Sequence, residues 1–230
     1  MTAAGAGIRF REGMKMVGEI IIVGAGAHAR VVFDILRAQG KAGNIIAFCD
    51  IEDKGDVTGQ TIFDRQVLPN VKALDDYAAS HDVTLVVGHG NNSKRKEIIP
   101  HLESLKATLG NAIHPSAVIS PDAVIDHSTT ISAGAVILTG AKIGRGVIIN
   151  TSATVDHDCE VGDFSQVAPG AHLAGRVKIG TEAFIGIGAV VIQNLTIGNG
   201  SVVGAGAAVV RDVPEKCLVI GVPARVRKRL

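Results

Sequence analysis

Aromatic residues and cysteine are scarce in this chain of 230 residues. It has no Trp, one Tyr and six Phe, so a core built around large rings is excluded. Its three cysteines, Cys49, Cys159 and Cys217, are odd in number, far apart and without metal-ligand spacing. This usage is typical of a reduced, cytoplasmic protein, and it argues against a disulfide framework or a cysteine metal site.

A charge excess of either sign and long hydrophobic runs are also missing. The 23 Lys and Arg offset 22 Asp and Glu to a formal net charge of +1, which argues against nucleic acid or a membrane surface as the main partner. No segment approaches the roughly 18 uninterrupted apolar residues of a membrane helix. Residues 1–18 contain three basic residues but no apolar core or cleavage site, so we expect a disordered leader and no signal peptide.

What the chain does have is a period of six. From Ile113 to Val209 every sixth residue is Ile, Val or Leu, in seventeen consecutive positions, and from Ala117 on the residue two places earlier is small with three exceptions. This period is neither the 3.6 of a helix nor the 2 of a strand. Each hexad would supply one large and one small inward side chain and then turn a corner. Three hexads therefore predict one triangular coil of a solenoid.

Glycine recurs directly after the aliphatic residue, which suggests where the corners turn. The glycines are Gly144, Gly162, Gly180, Gly186, Gly198 and Gly204, and Asp126, Asn150 and Asp156 hold the same place elsewhere. Because these residue types tolerate left-handed backbone, we expect that conformation at this position. Coils stacked about 4.8 Å apart would make a narrow prism, whose interior has little room for aromatic rings.

A different pattern precedes the repeat. Short apolar strands are predicted at Glu19–Val23, Ile45–Cys49 and Val83–Val87, and helical stretches at Ala29–Ala38, near 71–80 and at 93–105, where we expect Pro100 to interrupt the helix. Alternating strands and helices predict a small parallel, Rossmann-like α/β sheet. We therefore divide the chain into a leader (1–18), an α/β domain (19–110), a β-helical domain (111–212) and a tail (213–230).

The first strand is followed by a glycine turn of the form G-x-G-x-x-A. Gly24 and Gly26 would let the backbone approach a pyrophosphate at a helix N-terminus, and Asp50, after the next strand, could accept a hydrogen bond from a ribose hydroxyl. The domain is too short for both halves of a dinucleotide site, which favours a nucleotide sugar over NAD. A purely structural turn is the remaining alternative. His28 either touches a phosphate or sugar there or merely begins the helix.

The densest polar cluster of the repeat runs from Asn150 to Asp158. His157 lies two residues past the core residue Val155, so we expect it to have rounded a corner and to project outward. With Asp156 and Asp158 on either side, one carboxylate could orient the imidazole and raise its basicity, as a general base requires. A solvated surface histidine is the plainer alternative.

These residues resemble the hexapeptide-repeat acyltransferases in which a small α/β domain precedes a left-handed β-helix. That group contains N-acetyltransferases of nucleotide-linked 4-amino sugars, acting on UDP-bacillosamine precursors or GDP-perosamine, and related sialic acid O-acetyltransferases. The matching stretches are IIIVGAGAHARVV, FCD, VVGHGNN, HPSAVISPDAVI, NTSATVDHDCEVGDFSQVAPGAHLAGRVKIG, FIGIGAVV and GVPARVRKR. The resemblance implies a homotrimer with active sites between subunits, acetyl-CoA as co-substrate, a nucleotide-sugar substrate and no metal.

The resemblance also assigns catalytic roles. His157 matches the family's catalytic histidine, and Asp158 stands where the carboxylate partner is usually Glu, with Asp156 as a possible substitute. His157 would take a proton from the C4 amine as that amine attacks the thioester, and the N–H of Gly175 would donate to the oxyanion. Gly175 follows His157 by eighteen residues, which predicts a position one coil above it on the same edge.

Binding residues are carried over in the same way. Asn150 and Thr151 would orient the sugar, and Gln166 stands where some relatives have a second histidine, so we expect it to position the substrate by hydrogen bonds. The residues implied for acetyl-CoA are Gly175, Ile187, Gly188, Gly206 and Arg225.

Two other functions stay open. One is O-acetylation of sialic acid or another sugar hydroxyl, but a free sugar would leave the glycine turn and Asp50 without an obvious ligand. The other is a non-catalytic solenoid of the carbonic-anhydrase-like kind. Such a protein would need three metal-binding histidines, and the spacing of His127, His157 and His172 does not pair them at equivalent heights on one subunit.

Overall fold

A computed structural model describes residues 9–10, 18–52 and 59–230. Its first part is a six-stranded sheet with the strand order Thr61–Ile62, Arg65–Leu68, Ile45–Cys49, Glu19–Val23, Val83–Val87 and Thr108–Gly110. All neighbours are parallel except the first pair, which forms a hairpin. The helices are α1 (Ala27–Ala38), α2 (Val71–Ala78), α3 (Asn92–Glu103) and a short 3₁₀ helix at Ala42–Asn44. The predicted parallel α/β sheet is confirmed.

The three predicted strands of this sheet have the expected bounds because each is an apolar run buried on both faces. The expected break at Pro100 is wrong, since α3 continues through it to Glu103. Proline removes only one N–H from the helix, and the fully buried Ile99 and Leu102 hold the last turn against the sheet. None of the described helices is long and apolar enough to cross a membrane.

The second part is a left-handed parallel β-helix with three faces, as the period of six predicted. Face 1 consists of Ala112–Ile113, Thr130–Ile131, Ile148–Ile149, Gln166–Val167, Phe184–Ile185, Val202–Val203, Cys217–Ile220 and Arg225–Arg229, the last of these antiparallel. Face 2 consists of Val118–Ile119, Val136–Ile137, Thr154–Val155, His172–Leu173, Val190–Val191 and Ala208–Val209. Face 3 consists of Val124–Ile125, Lys142–Ile143, Glu160–Val161, Lys178–Ile179 and Thr196–Ile197, with Arg9–Phe10 at its edge.

The aliphatic ladder fills the axis of the prism. Strands eighteen residues apart pair in register, so that Ile149 lies beside Val167 and Val167 beside Ile185. Nearly all aliphatic and small residues of the repeat belong to one buried cluster. Most of the predicted leader lies outside the described residues, and its Arg9–Phe10 pairs with Val124–Ile125.

The expected position of the left-handed backbone is wrong. It occurs three residues after the aliphatic residue, as at Gly140, Asp158 and Arg176, and not at the glycine that follows directly. Those glycines are required for space: a Cβ on Gly162 would lie 2.8 Å from the carbonyl oxygen of Ile179 in the next coil. The repeat thus needs glycine where successive coils touch, which the periodicity did not show.

The N-terminal sheet is fastened to the corner between face 3 and face 1. Helix α3 lies on this corner, where Asn92 Nδ2 donates to the carbonyl oxygens of Glu182 and Ala183. Lys96 pairs with Glu182, and Arg145 with Glu103 near the other end of the helix. The α/β sheet therefore lies beside the segments that lead into the face 1 strands.

Candidate active site

His157 lies at the corner between face 2 and face 3, and its side chain is 39% exposed. The two flanking carboxylates have different partners. Asp156 Oδ1 accepts the backbone N–H of His157 at 2.6 Å, whereas Asp158 Oδ2 lies 2.9 Å from the ring atom Nδ1. Because an ionised carboxylate only accepts hydrogen bonds, this contact favours the tautomer with a proton on Nδ1, in which the neutral imidazole has its lone pair on Nε2.

Gly175 lies directly over the imidazole, one coil further along the prism. The N–H of Arg176 donates to the carbonyl oxygen of His157 at 2.9 Å, which fixes the two corners against each other. A Cβ on Gly175 would lie 2.3 Å from His157 Nε2. Only glycine leaves room for the ring here. Among the described residues, none accepts a hydrogen bond from the N–H of Gly175.

A cleft of about 270 Å³ opens at the carboxyl ends of the N-terminal strands, and its lining includes Gly26, Asp50, Glu52 and His89. We call it the N-terminal cleft. Asp50 is 5% exposed, and its Oδ1 accepts the backbone N–H of Glu52 at 2.9 Å. The glycine turn and Asp50 therefore meet in one cavity, at the edge of a parallel sheet where ligands usually bind.

Gly24, which we expected to let the backbone approach a pyrophosphate, is not part of the cleft lining. It is buried, and a Cβ there would lie 2.7 Å from the carbonyl oxygen of Gly88. Its backbone conformation, with φ of +129°, also favours glycine. Gly24 thus serves the close packing of two loops, and Gly26 is the glycine of the turn that lines the cleft.

Of two histidines in this region, only His89 lines the cleft, and the sequence did not single it out. His89 Nε2 lies 2.9 Å from Glu52 Oε1; its position after a parallel strand was the available signal. His28 lies in the first turn of α1, and its buried Nε2 has no hydrogen-bond partner within the described parts of the chain. Burial, followed by the charges of Arg95 and His89, lowers the pKa of His28 to about 4, so this ring is neutral at physiological pH.

The predicted sugar-positioning residues do not lie beside His157 within one chain. Asn150 and Thr151 occupy the corner between face 1 and face 2, and Gln166 begins a face 1 strand. His157 lies at the opposite edge of face 2. Gln166 instead directly follows Phe164 and Ser165, whose carbonyl oxygens accept hydrogen bonds from α3. The chain carries two separate groups of candidate residues.

Three of the residues implied for acetyl-CoA, Ile187, Gly188 and Gly206, form an exposed ladder on the corner between face 1 and face 2, whereas Gly175 lies on the other corner of face 2, beside His157. Ile187 is 61% exposed, and its carbonyl oxygen accepts the N–H of Gly206 at 2.8 Å. Gly188 and Gly206 both have left-handed backbone and open space where a Cβ would lie. Arg225 begins the exposed strand Arg225–Arg229 at the end of face 1.

Two further surfaces of the β-helix are of interest, one on face 2 and one on face 3. Face 2 and its corner with face 3 expose apolar side chains towards both ends of the prism: Val118, Leu138, Val190, Ile192 and Val210. A groove of about 1330 Å³ runs along face 3, and its lining contains none of the predicted site residues. Several of its charges are paired with one another, as in Arg145 with Asp163 and Lys178 with Glu160.

In the part of the chain that the structure describes, no group of three His, Cys, Asp or Glu could hold a metal ion.

Comparison with known proteins agrees with this architecture. A family model of the PglD N-terminal domain matches residues 19–102. GDP-perosamine N-acetyltransferase of Escherichia coli O157:H7 is 32% identical over 165 residues, which is 68% of this chain and 70% of the relative. UDP-N-acetylbacillosamine N-acetyltransferase of Bacillus subtilis (strain 168) is 36% identical over 114 residues, which is 50% of this chain and 51% of the relative.

A solved structure extends the match to most of the chain. PerB from Caulobacter crescentus, in complex with CoA and GDP-perosamine, is 38% identical with a TM-score of 0.85, and the match covers 92% of this chain and 98% of PerB. From these matches and the two-part fold, the chain belongs to the acetyl-CoA-dependent N-acetyltransferases that join a PglD N-terminal domain to a left-handed β-helix.

Proposed function

We propose that the protein transfers the acetyl group of acetyl-CoA to the C4 amine of a UDP- or GDP-linked 4-amino-6-deoxy sugar, with His157 as general base. The observation that carries this proposal is the His157–Asp158 pair, which leaves Nε2 available beside Gly175, whose N–H has no acceptor among the described residues. Two relatives are named as N-acetyltransferases of GDP-perosamine and of a UDP-linked bacillosamine, and this supports the proposed class of acceptor.

In the proposed reaction the C4 amine attacks the carbonyl carbon of the thioester. Nε2 of His157 takes one proton from the attacking nitrogen, and Asp158 stabilises the imidazolium that forms. The N–H of Gly175 donates to the oxygen on which negative charge develops. The C–S bond then breaks, and the leaving CoA sulfur receives the proton from His157, which regenerates the free base.

The N-terminal cleft would hold the nucleotide. Gly26 offers an open backbone near the start of α1 for a phosphate, and the buried Asp50 could accept from a ribose hydroxyl. His28, in the first turn of α1, would lie near the phosphate, and Gly24 would shape the turn. Gln166, Asn150 and Thr151 would position the sugar along face 1: Gln166 begins a face 1 strand directly after the segment on which α3 packs, and Asn150 and Thr151 follow the neighbouring face 1 strand.

We propose further that the working form is a homotrimer. The exposed apolar side chains on face 2 and its corner with face 3 are suited to contact a second copy. Such a contact would bring the His157 corner of one copy to the face 1 of the next, where Gln166 lies. Acetyl-CoA would run along the ladder of Ile187, Gly188 and Gly206 towards Arg225, whose charge suits a phosphate. We also propose the domain limits 19–110 for the α/β domain, 111–212 for the β-helical domain and 213–230 for the tail.

The test is thiol release from acetyl-CoA across UDP-, GDP- and dTDP-linked 4-amino sugars, with free sialic acid as the O-acetylation control. His157→Ala should lower turnover by a factor of about 10² to 10⁴ with acetyl-CoA binding nearly intact. The control His81→Ala changes an exposed histidine that stacks on Tyr77, outside the proposed site, and should leave turnover unchanged. Full turnover by His157→Ala would remove His157 from the base role.

A further inference from the structure

Arg95, in the first half of α3, is an arginine with 1% of its surface exposed. Its guanidinium makes five hydrogen bonds to uncharged oxygens. The acceptors are the carbonyl oxygens of Gly146 at 2.7 Å, Phe164 at 3.0 Å, Ser165 at 3.2 Å and His89 at 3.2 Å, and Asn92 Oδ1 at 2.8 Å. One side chain thus connects the N-terminal sheet to two successive coils of the β-helix.

This cation has no carboxylate partner among the described residues. Burial lowers its pKa to about 9, so the group still carries its charge at neutral pH. A buried charge without a counter-ion is costly to retain when an apolar side chain could fill the same space. What a guanidinium adds is a planar set of five donors that can hold several carbonyl groups in fixed directions.

The groups that Arg95 connects lie at the two ends of the proposed acceptor site. His89, whose carbonyl oxygen is one acceptor, lines the N-terminal cleft and pairs with Glu52. On the other side, Phe164 and Ser165 directly precede Gln166, the residue at which face 1 begins in that coil. A displacement of the cleft relative to face 1 would break several of these hydrogen bonds at once.

We propose that Arg95 is a positioning residue that holds the N-terminal cleft in fixed register over face 1, so that a sugar attached to a bound nucleotide reaches the acetylation corner. The inference rests on the proposed function, because it supposes that the nucleotide binds in the cleft and that its sugar lies along face 1. Arg95 itself touches neither reacting group.

The proposed role predicts that the effect of losing Arg95 depends on the acceptor substrate. Loss of Arg95 should harm only acceptors whose amine is delivered by a nucleotide in the cleft. The same 4-amino sugar without its nucleotide, supplied at high concentration as a methyl glycoside, reaches the corner without the cleft and should not depend on Arg95. A residue needed only for folding would affect both acceptors alike.

The experiment compares kcat and KM of wild type, Arg95→Met and Arg95→Lys with both acceptors. Lys96→Met is the matched control, since Lys96 is the next residue of α3 and also contacts the β-helix, through Glu182, but is exposed. With the nucleotide-linked acceptor, Arg95→Met should lower kcat by a factor of about 10², as a misplacement of roughly 1 Å would, and Arg95→Lys should lie between it and wild type. With the glycoside, and for acetyl-CoA binding, all variants should stay within about twofold of wild type.

An equal loss with both acceptors, or no loss with either, would overturn the positioning role and leave the proposed function standing. Failure of the wild type to acetylate any nucleotide-linked amino sugar would instead defeat the proposed function. Hydrogen exchange on the wild type is measured in parallel, so that the conclusion does not depend on the folding of Arg95→Met. Binding of UDP or GDP should slow exchange at residues 164–166 as well as in the cleft, and unchanged exchange at 164–166 would refute the link.

Discussion

Adding one methyl group at Gly175 should disable the proposed base without altering its side chain. The Cβ of an alanine would lie 2.3 Å from His157 Nε2 and 2.6 Å from Cε1, whereas real Cβ atoms essentially never approach within 3.0 Å. The imidazole or the corner backbone must therefore move by about 0.7 Å or more. Either movement takes Nε2 away from the place where the amine has to give up its proton.

The size of the effect follows from this displacement. A misplacement near 1 Å lowers the rate of an oriented reaction by a factor of about 10², equivalent to roughly 2.7 kcal/mol of transition-state stabilisation. Complete loss of a general base costs a factor of about 10² to 10⁴. We therefore expect Gly175→Ala to lose a factor of about 10² in kcat, at or above the activity of His157→Ala.

The assay is thiol release at saturating acetyl-CoA and acceptor, with unfolding followed in denaturant. Gly200→Ala is the matched control: it adds a methyl group at a corner with left-handed backbone, where the nearest atom is Cγ of Lys216 at 3.7 Å. That variant should lose about 1 kcal/mol of stability but keep its turnover within about twofold.

The double variant Gly175→Ala/His157→Ala tests the cause. If the methyl group acts by displacing the ring, the double variant should be no slower than His157→Ala alone, because there is then no imidazole to displace. Unchanged turnover in Gly175→Ala, or a loss in the double variant equal to the product of both single losses, would refute the reasoning.

Three further predictions concern the carboxylates and the buried histidine. Asp158→Asn should lower kcat by a factor of about 10², whereas Asp156→Asn, which changes only a turn contact, should cost less than about tenfold; kcat in the thiol-release assay distinguishes them. Asp50→Ala should weaken UDP or GDP binding by about tenfold without changing acetyl-CoA binding, as calorimetry would show; an unchanged nucleotide titration contradicts its role. The pKa of His28 is lowered to about 4 in the folded protein, from the ordinary value of 6.5 that applies to the unfolded chain. As the pH falls below 6.5, the unfolded chain therefore binds a proton that the folded protein does not bind. Stability should therefore fall as the pH drops through this window, by at most about 2 kcal/mol between pH 7 and 5, and His28→Gln should remove that part of the slope in denaturant titrations.

Local patterns of side chains determined the architecture. The aliphatic residue at every sixth position, with a small residue two places before it, predicted the three-sided solenoid, because inward side chains recur with the geometry of each short strand. The buried apolar runs predicted the strands Glu19–Val23, Ile45–Cys49 and Val83–Val87 for the same reason. The outward position of His157 and the coil above it that holds Gly175 also followed from counting along the repeat.

Contacts between distant segments were decided only by the tertiary structure. Which carboxylate pairs with His157, why Gly175 and Gly162 must be glycine, and how Arg95 joins two domains all depend on distances across coils or between sheets. The separation of Gln166 from His157 is of this kind too, since a hexad spacing defines a face but not which faces meet. Periodicity is a local property, so it can be recognised from consecutive residues of the sequence. An acceptor site that combines a cleft, a face and a corner forms only when those distant surfaces pack together.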